Sequence, residues 1–550
     1  MKPFLDVQYI LAEISFLIEP GREAYVVGGT VRDLALGRQT GDVDIAVTGD
    51  AGGLAKRLAG RLGGTAFVMD AERDVHRVVV KDAALQVDIS PLKARSPHPP
   101  APSPTRGEGE LSNTLPTCGG GQGGGYGIHD DLAARDFTVN AMAIAITPGI
   151  QPSPLHPRPM SPHPPAPSPR GRGGGIYIPL PLGEGLQGEG SPQGGQGGGY
   201  YIDPFGGMSD IDSKTIRAMH GGTFTADPLR LIRAFRLASQ LGFGIEASTL
   251  LLIKEFSPLI SGMSPERVRD EIYLILEGQG SSDAFRQMSD AGLLREIIKE
   301  AGPMDGLPQG DAHDHDLLEH SLKAMGYAED VMRDLARYFG DKAAEVGRYL
   351  ETQVDGGLCM SGLVKLCAFL HDVGKPSRMR SDEGRIRFIG HDDEGAKINV
   401  GIAARLKMSG RAAEALSKVT RWHMRPLHLS QRDMTRHALF RYVRDMGYDL
   451  PASLVVALAD AFATRERPDS MATDVEGIVM AAAGYYYGEY SKAREEPLIR
   501  GDDLIGVFGL KPGPVIGRIL YDVEEKRAEG VLTDRDEAIV YVRENLGRFT

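Results

Sequence analysis

Apolar and polar residues alternate in short stretches over the first 90 residues and fall into helical periods after residue 225. The chain therefore reads as an α/β head followed by a mostly α-helical remainder. Ala24 to Val27 is an apolar run of strand length. Gly28 and Gly29 allow a tight turn after it, Thr30 is placed to cap a short helix, and Gly37 is placed to end that helix. In the strand that follows, Val43, Ile45 and Val47 point to one face and Asp42 and Asp44 to the other. Further on, GGTAFVMDAERDVHRVVVKDAALQVDIS carries two apolar strand patterns around a KDAA turn and sets Asp88 between Val87 and Ile89. From Thr225 to Phe243 the pattern is helical. Asp227 stands before Pro228 as an N-cap stands before a first-turn proline, and Leu231, Ala234, Phe235 and Ala238 form an apolar stripe. Arg230, Arg233 and Arg236 recur on a separate flank of that helix. A second apolar helix, LVKLCAFL, runs up to His371 and Asp372, where Gly374 and Pro376 stop it. The last segment, from Leu498, is helical around a KPGP turn and reads either as an RNA-tail-binding region or as a helical cap.

Two tracts break the pattern, roughly Arg95 to Gly125 and Pro148 to Gly199. Both are dominated by Pro, Gly and Ser, and both contain SPHPPAPSP, so they are near copies. Such composition buries too little apolar surface to offset chain entropy, and both are read as disordered insertions. Cys118 falls inside the first and is assigned no role. The expected organisation is a head over residues 1–147 holding the first insertion, the second insertion over 148–199, a helical neck over 200–300, a further helical domain over 301–480 and a C-terminal helical region over 481–550.

At 550 residues the chain is long enough for several domains. Its formal net charge of -12 excludes coating of nucleic acid by bulk charge and leaves room for a local basic groove. Three cysteines form no CxxC pair, which points to a reduced, cytoplasmic compartment. No cleavable signal pattern opens the chain, and no apolar run reaches the roughly 18 residues of a membrane span, so no membrane partner is expected.

Two carboxylates on one strand face without apolar cover suit Mg²⁺, which takes a few carboxylate oxygens and completes its shell with water and phosphates. The preceding glycine turn offers backbone N–H groups to phosphate, and Arg32 adds charge. The pairing of GGTVRD with DVD resembles the nucleotidyltransferase superfamily, in particular the bacterial branch of class II tRNA nucleotidyltransferases and poly(A) polymerases. The resemblance implies that Asp42 and Asp44 bind the catalytic metals and that Gly28, Gly29 and Arg32 cradle a triphosphate. Asp88 is either a third carboxylate, as ligand or general base, or an exposed edge-strand residue. LAARDFTVNA resembles the family's RRDFTxNA motif with Ala134 in place of its first arginine. That likeness implies nucleotide contacts from Arg135, Asp136 and Asn140, the alternative being a surface pair of Arg135 with Asp136. The DPFGG segment at Asp203 resembles the family's flexible connector between head and neck. In TADPLR, Asp227 and Arg230 match the EDxxR motif, with Ala226 in place of its glutamate. The match implies that Asp227, Arg230 and Arg233 read the edge of the incoming base. SPERVRDEIYLIL resembles the helix that braces this pocket, with Glu266 and Arg267 structural.

A different chemistry begins near residue 313. His320, His371, Asp372, His391, His423 and Asp460 lie on successive helical segments, a mixed imidazole and carboxylate set suited to one or two transition metals. HDVGKP closely resembles the signature of the HD phosphohydrolase superfamily, which implies Mn²⁺, Ni²⁺, Co²⁺ or Fe²⁺ in this part. The domain then either hydrolyses phosphoesters such as a 2′,3′-cyclic phosphate or serves as a helical RNA platform with residual ligands. His313 and His315 read as exposed loop histidines. Outside the two tracts the resemblance covers most of the chain. It implies a nucleotidyltransferase adding all or part of the 3′-terminal CCA to tRNA from CTP and ATP, with Mg²⁺ as cofactor. Alternatives are a poly(A) polymerase, an enzyme adding only CC or only A, and an HD phosphohydrolase whose head merely binds nucleotide or RNA.

Overall fold

The computed structural model describes residues 7–80, 85–92, 127–147, 201–311, 313–382, 385–431, 434–465 and 470–549. The two Pro/Gly tracts, Cys118 and the KDAA turn lie outside them. The chain divides into two compact units, Met1–Thr223 and Phe224–Thr550.

In the first unit, alternating apolar positions build a seven-stranded sheet. Its strands are β1 (Ala24–Val27), β2 (Asp42–Val47), β3 (Thr65–Asp70), β4 (Val75–Val79), β5 (Gln86–Pro91), β6 (Ala143–Ile146) and β7 (Tyr201–Ile202), in the order β3-β4-β5-β2-β1-β6-β7. Only β2 and β5 pair in parallel, with Asp44 opposite Asp88. Three strands, rather than two, arise from the segment after Gly63, because the AERD turn closes an extra hairpin between β3 and β4. Val43, Ile45, Val78, Val87 and Ile89 are buried on one face. Helix α1 (Val7–Leu17) packs on helix α3 (Ala51–Leu62), and α3 packs on β3, β4 and β5. On the opposite face, helix α4 (Ile128–Ala133) sends Ile128 and Leu132 into a cluster with Val27, Ala46 and Ala143. That cover reaches Ala46 but not Asp42 and Asp44, which remain exposed and half-buried respectively.

Thr30 does not cap its helix. Gly28, at φ +71°, is the N-cap of α2 (Gly29–Ala35), and the Thr30 hydroxyl instead accepts from the Asp44 N–H at 2.9 Å and donates to the Asp42 carbonyl. A threonine one residue inside the helix thereby ties it to β2 between the two aspartates. Gly37 follows the helix in the left-handed region, as its position predicts. The DPFGG segment is not the connector between the units. Asp203 accepts from the Gly207 and Met208 N–H groups, capping helix α5 (Gly207–Asp212) inside the first unit, and any Cβ on Gly207 would run into the Thr138 carbonyl and Met142. A capped, close-packed turn cannot absorb the rotation of a hinge.

The second unit is almost wholly helical. The helix Leu317–Arg333 packs against Met360–Leu370 and Leu450–Thr464; the apolar helix ends before Gly374, as expected, and Pro376 lies in the first turn of the short helix Lys375–Arg378. The stretch Arg436–Thr464 is long and apolar enough to resemble a membrane span by length and composition, yet 83% of its apolar window is buried in the protein. Its apolar part is the core helix Leu450–Thr464, buried on nearly every side because other helices surround it. The last three helices, Gly501–Phe508, Pro514–Ala528 and Arg535–Asn545, carry their own small core of Leu504, Ile519, Val523, Ala538 and Val542.

Candidate functional site

Strand alternation puts Asp42 and Asp44 on the open face of the first unit, and the parallel register adds Asp88 beside Asp44. Burial raises the Asp44 carboxyl to about 6; Arg135 and Arg32 oppose the rise, and Asp88 and Asp42 add to it. Asp42 and Asp44, on one strand face, offer hard oxygen donors of the kind a divalent cation takes. Asp88, however, is already engaged. It accepts from Arg77 Nε and Nη2, both at 2.7 Å, a bidentate pair between β5 and β4.

Gly28 is the close approach. A Cβ there would meet Arg135 Nη1 at 2.5 Å and Asp44 Oδ2 at 3.2 Å, so the arginine and the Asp44 carboxylate pack directly over the glycine. Arg135 is aimed by Asp131, whose Oδ2 accepts from its Nε and Nη2 at 3.1 and 2.9 Å, and not by Asp136. Asp136 is buried and accepts from the Phe137 N–H and Asn140 Nδ2, while Asn140 Oδ1 accepts from Arg32 Nη1 at 2.8 Å. Arg32 also pairs with Asp33. The chain Asp136, Asn140, Arg32 therefore sets the arginine beside Gly29. The alternative, a surface pair of Arg135 with Asp136, is not what forms, because Asp136 is buried and Arg135 turns to Asp131.

Gly28→Ala is expected to lower nucleotide addition strongly, through a raised KM for nucleotide, while melting temperature falls by only a few degrees. At φ +71° and ψ -140° the backbone lies near a region almost exclusive to glycine, which costs alanine about 1–3 kcal/mol, and its Cβ displaces the far end of Arg135. Steady-state kinetics beside thermal melting of the variant check this.

In the second unit, the regular helix begins at Arg230, and Asp227 caps the turn before it by accepting from the Leu229 N–H at 3.3 Å. The other Asp227 oxygen pairs with Arg267 at 3.2 Å, which is the bracing that the helix Pro265–Glu277 was expected to provide. Arg233 and Arg236 both pair with Glu271 of that helix, at 3.4 and 3.2 Å, and Arg230 is half-buried on the same helix. Their flank is thus packed against a neighbour rather than solvated.

All six expected ligands of the later segment converge. His320, His371, Asp372 and Asp460 form one group, and Asp372, His391 and His423 form another. Asp372 bridges them. Its Oδ2 lies 3.1 Å from His371 Nε2 and 3.6 Å from His320 Nε2, and its Oδ1 lies 3.1 Å from His391 Nε2 and 3.4 Å from His423 Nε2. Every Nδ1 faces a backbone carbonyl: His320 that of Ala463, His371 that of Ala368, His391 that of Phe388 and His423 that of Thr420. With Nδ1–H committed, the Nε2 lone pairs point at one another, 3.2 Å apart for His320 and His371 and 3.3 Å apart for His391 and His423. A cation shared between such nitrogens would satisfy both. His371, despite burial that opposes its charge, is held up to about 10 by Asp372 and Asp460. The donor set therefore fits a transition metal in each group.

His313 is not an exposed loop histidine. It is half-buried, with its ring 5.2 Å from that of His320 at a steep angle, and burial with Lys375 and His320 nearby lowers it to about 4. His315 instead lies against Lys323 at 2.7 Å. Sequence reasoning also missed Lys375, whose Nζ lies 2.6 Å from Asp372 Oδ2 and donates to Gln309 at 2.7 Å. The lysine of HDVGKP was the available signal. Arg77, Asp131 and Glu271 had none, because each is defined by a partner chosen through register or helix packing.

Residues 24–151 match the poly A polymerase head domain, 242–304 the probable RNA- and SrmB-binding site of polymerase A, and 317–465 the HD domain. Fold and site together thus define a nucleotidyltransferase that carries an HD domain. A CC-adding tRNA nucleotidyltransferase of Geobacter sulfurreducens is 27% identical over 95% of this chain and 92% of its own. An A-adding tRNA nucleotidyltransferase of Deinococcus radiodurans is 28% identical over 94% of this chain and 95% of its own. Among solved structures, a CCA-adding enzyme in complex with ATP shares the fold, with a TM-score of 0.59 and 19% identity over 98% of this chain and 93% of that one. The chain thus carries a poly A polymerase head, an RNA-binding segment and an HD domain, and is similar over nearly its whole length to tRNA nucleotidyltransferases.

Proposed function

We propose that this enzyme adds all or part of the 3′-terminal CCA to tRNA, taking nucleotides from CTP and ATP. The observation that carries the reading is the pairing of Asp42 and Asp44 on an open strand face with Gly28 and Arg135 packed against Asp44. Relatives of nearly full length that add CC or A to tRNA support the substrate class.

Asp42 and Asp44 hold Mg²⁺, which when bound lowers the charge of the triphosphate and the pKa of the attacking 3′ hydroxyl. Gly28 lets phosphate oxygens approach the backbone, and Arg32 and Arg135, oriented by Asn140 and Asp131, clamp the triphosphate for in-line displacement of pyrophosphate. Asp88 gives both oxygens to Arg77, and acts by holding that arginine in place rather than by accepting the hydroxyl proton. In the second unit, Asp227 accepts from and Arg230 and Arg233 donate to the edge of the base, an arrangement in which planar guanidinium groups set the donor pattern. The HD residues hold transition metal, which when bound supplies Lewis acidity toward a phosphate ester. Lys375 adds positive charge for the anionic substrate.

The test offers CTP and ATP separately to tRNA ending before CCA, after C and after CC. Stepwise completion of CCA supports a full CCA enzyme. Arrest after CC, or growth only from CC, defines a partial one, and long ATP-only tails define a poly(A) polymerase. No incorporation on any substrate leaves a phosphohydrolase with a binding head.

A further inference from the structure

The open face of the head's sheet carries a row of side chains that starts at Asp44 and runs away from the proposed nucleotide groups. Register sets Asp44 beside Asp88, Asp88 beside Arg77 and Arg77 beside Phe67, so four adjacent strands each contribute one residue to one line. The bidentate bond between Arg77 and Asp88 fixes both on the same side, and pairing in the pleat puts Phe67 there too. On the other side, His76 lies against Gly52 of α3 and Val78 is fully buried, so the helix covers that face only. At the end of the row Phe67 is 48% exposed, and Met69, farther along the same edge strand, is 53% exposed. Phe67 is the large exposed aromatic at the end of the row, while Met69 and the 54% exposed Val68 lie beyond it along the edge strand, where the pairing with β4 becomes irregular.

Direction across the sheet says what Phe67 receives. The triphosphate groups, Gly28, Arg32 and Arg135, lie on the β1 and β6 side of β2, whereas Phe67 lies on the β5 and β4 side. Strands about 4.8 Å apart place Phe67 about 14 Å from Asp44, within reach of a few nucleotides of single strand. We propose that Phe67, flanked by the tethered guanidinium of Arg77, is the platform on which an unpaired base of the RNA substrate stacks a few nucleotides before its 3′ end. This inference rests on the proposed function. An aromatic face accepts any base, which suits a primer whose terminal residues change as it grows. Phe67 is a positioning residue: it acts by presenting the RNA end to Asp42 and Asp44, not on the reacting atoms.

The test uses the full chain with Phe67→Ala and Phe67→Trp. For Phe67→Ala, KM for tRNA lacking CCA is expected to rise on the order of tenfold, with kcat, KM for CTP and melting temperature near wild type, and Phe67→Trp is expected to restore KM for tRNA. An unchanged KM for tRNA, or a rise in KM for CTP instead, overturns the proposal. So does a change of oligomeric state in light scattering without a change in KM for tRNA, which would make β3 an edge-pairing strand for a second copy. If the wild-type chain incorporates no nucleotide, the functional reading fails by itself. Direct tRNA binding then still decides the platform, and equal Kd values for wild type and Phe67→Ala overturn it.

Discussion

Replacing Asp44 or Asp42 with alanine is expected to lower nucleotide addition by at least about a thousandfold, the loss that corresponds to about 4 kcal/mol of transition-state stabilisation from a metal ligand. The fold is expected to survive, and the electrostatics of Asp44 make the two effects separable. Its carboxyl is raised in the folded chain from 3.8 to about 6, chiefly by burial, with Asp88 and Asp42 contributing. A group raised in this way favours folding below its unfolded pKa, and that contribution is lost as pH rises through the folded value. At neutral pH and without divalent cations, the ionised carboxylate is therefore a net cost to the head. Asp44→Asn should melt no lower than wild type at pH 7.5 in a chelator, while losing the gain in melting temperature that Mg²⁺ confers on wild type. Asp88→Asn is expected to lose far less activity, because its role is to hold Arg77 and one amide oxygen still accepts from the guanidinium. Equal losses for Asp88→Asn and Asp44→Ala would make Asp88 a ligand or base, and near-normal incorporation by Asp44→Ala would refute the metal assignment.

The two sites were legible in the sequence to different depths, for reasons that lie in the range of the interactions. Asp42 and Asp44 share a face because side-chain alternation is a property of a single strand, so DVD flanked by Val43, Ile45 and Val47 could be read directly. The six HD ligands were legible because histidine and aspartate at helix ends form a pattern of residue types along the chain. What escaped was partner choice. That Arg77 meets Asp88 depends on the register of β4 against β5, and that Arg135 turns to Asp131 rather than to its neighbour Asp136 depends on which side of a turn is buried. Thr30 went astray in the same way: a cap and a tie to the next strand require the same hydroxyl, and tertiary packing chose the tie. His313 was misplaced because burial of a loop residue is decided by the helices that close over it. The hairpin strand β3 was hidden as well, since TAFVMD lacks alternation where its open face remains apolar.

Replacing His371 and His391 together with alanine is expected to remove the transition metal and any phosphoester hydrolysis while nucleotide addition continues. The pair takes one imidazole from each of the two groups that Asp372 bridges. It also spares Asp372, whose loss would leave Lys375 buried without its carboxylate partner, a vacancy that costs several kcal/mol. What remains in each group is too few nitrogen and oxygen donors to compete with water for a soft or borderline cation. The addition chemistry should be indifferent, because Asp42 and Asp44 belong to the first compact unit and offer only hard oxygen donors, whereas the HD ligands all belong to the second and are mostly imidazole. Elemental analysis of purified wild type and double mutant, beside assays on CCA-deficient tRNA and on a 2′,3′-cyclic nucleotide, decides the matter. Unchanged metal content would refute the HD centre. Intact hydrolysis in a metal-free double mutant would assign that chemistry to other residues, and lost nucleotide addition in a well-folded double mutant would show that the two centres do not work independently.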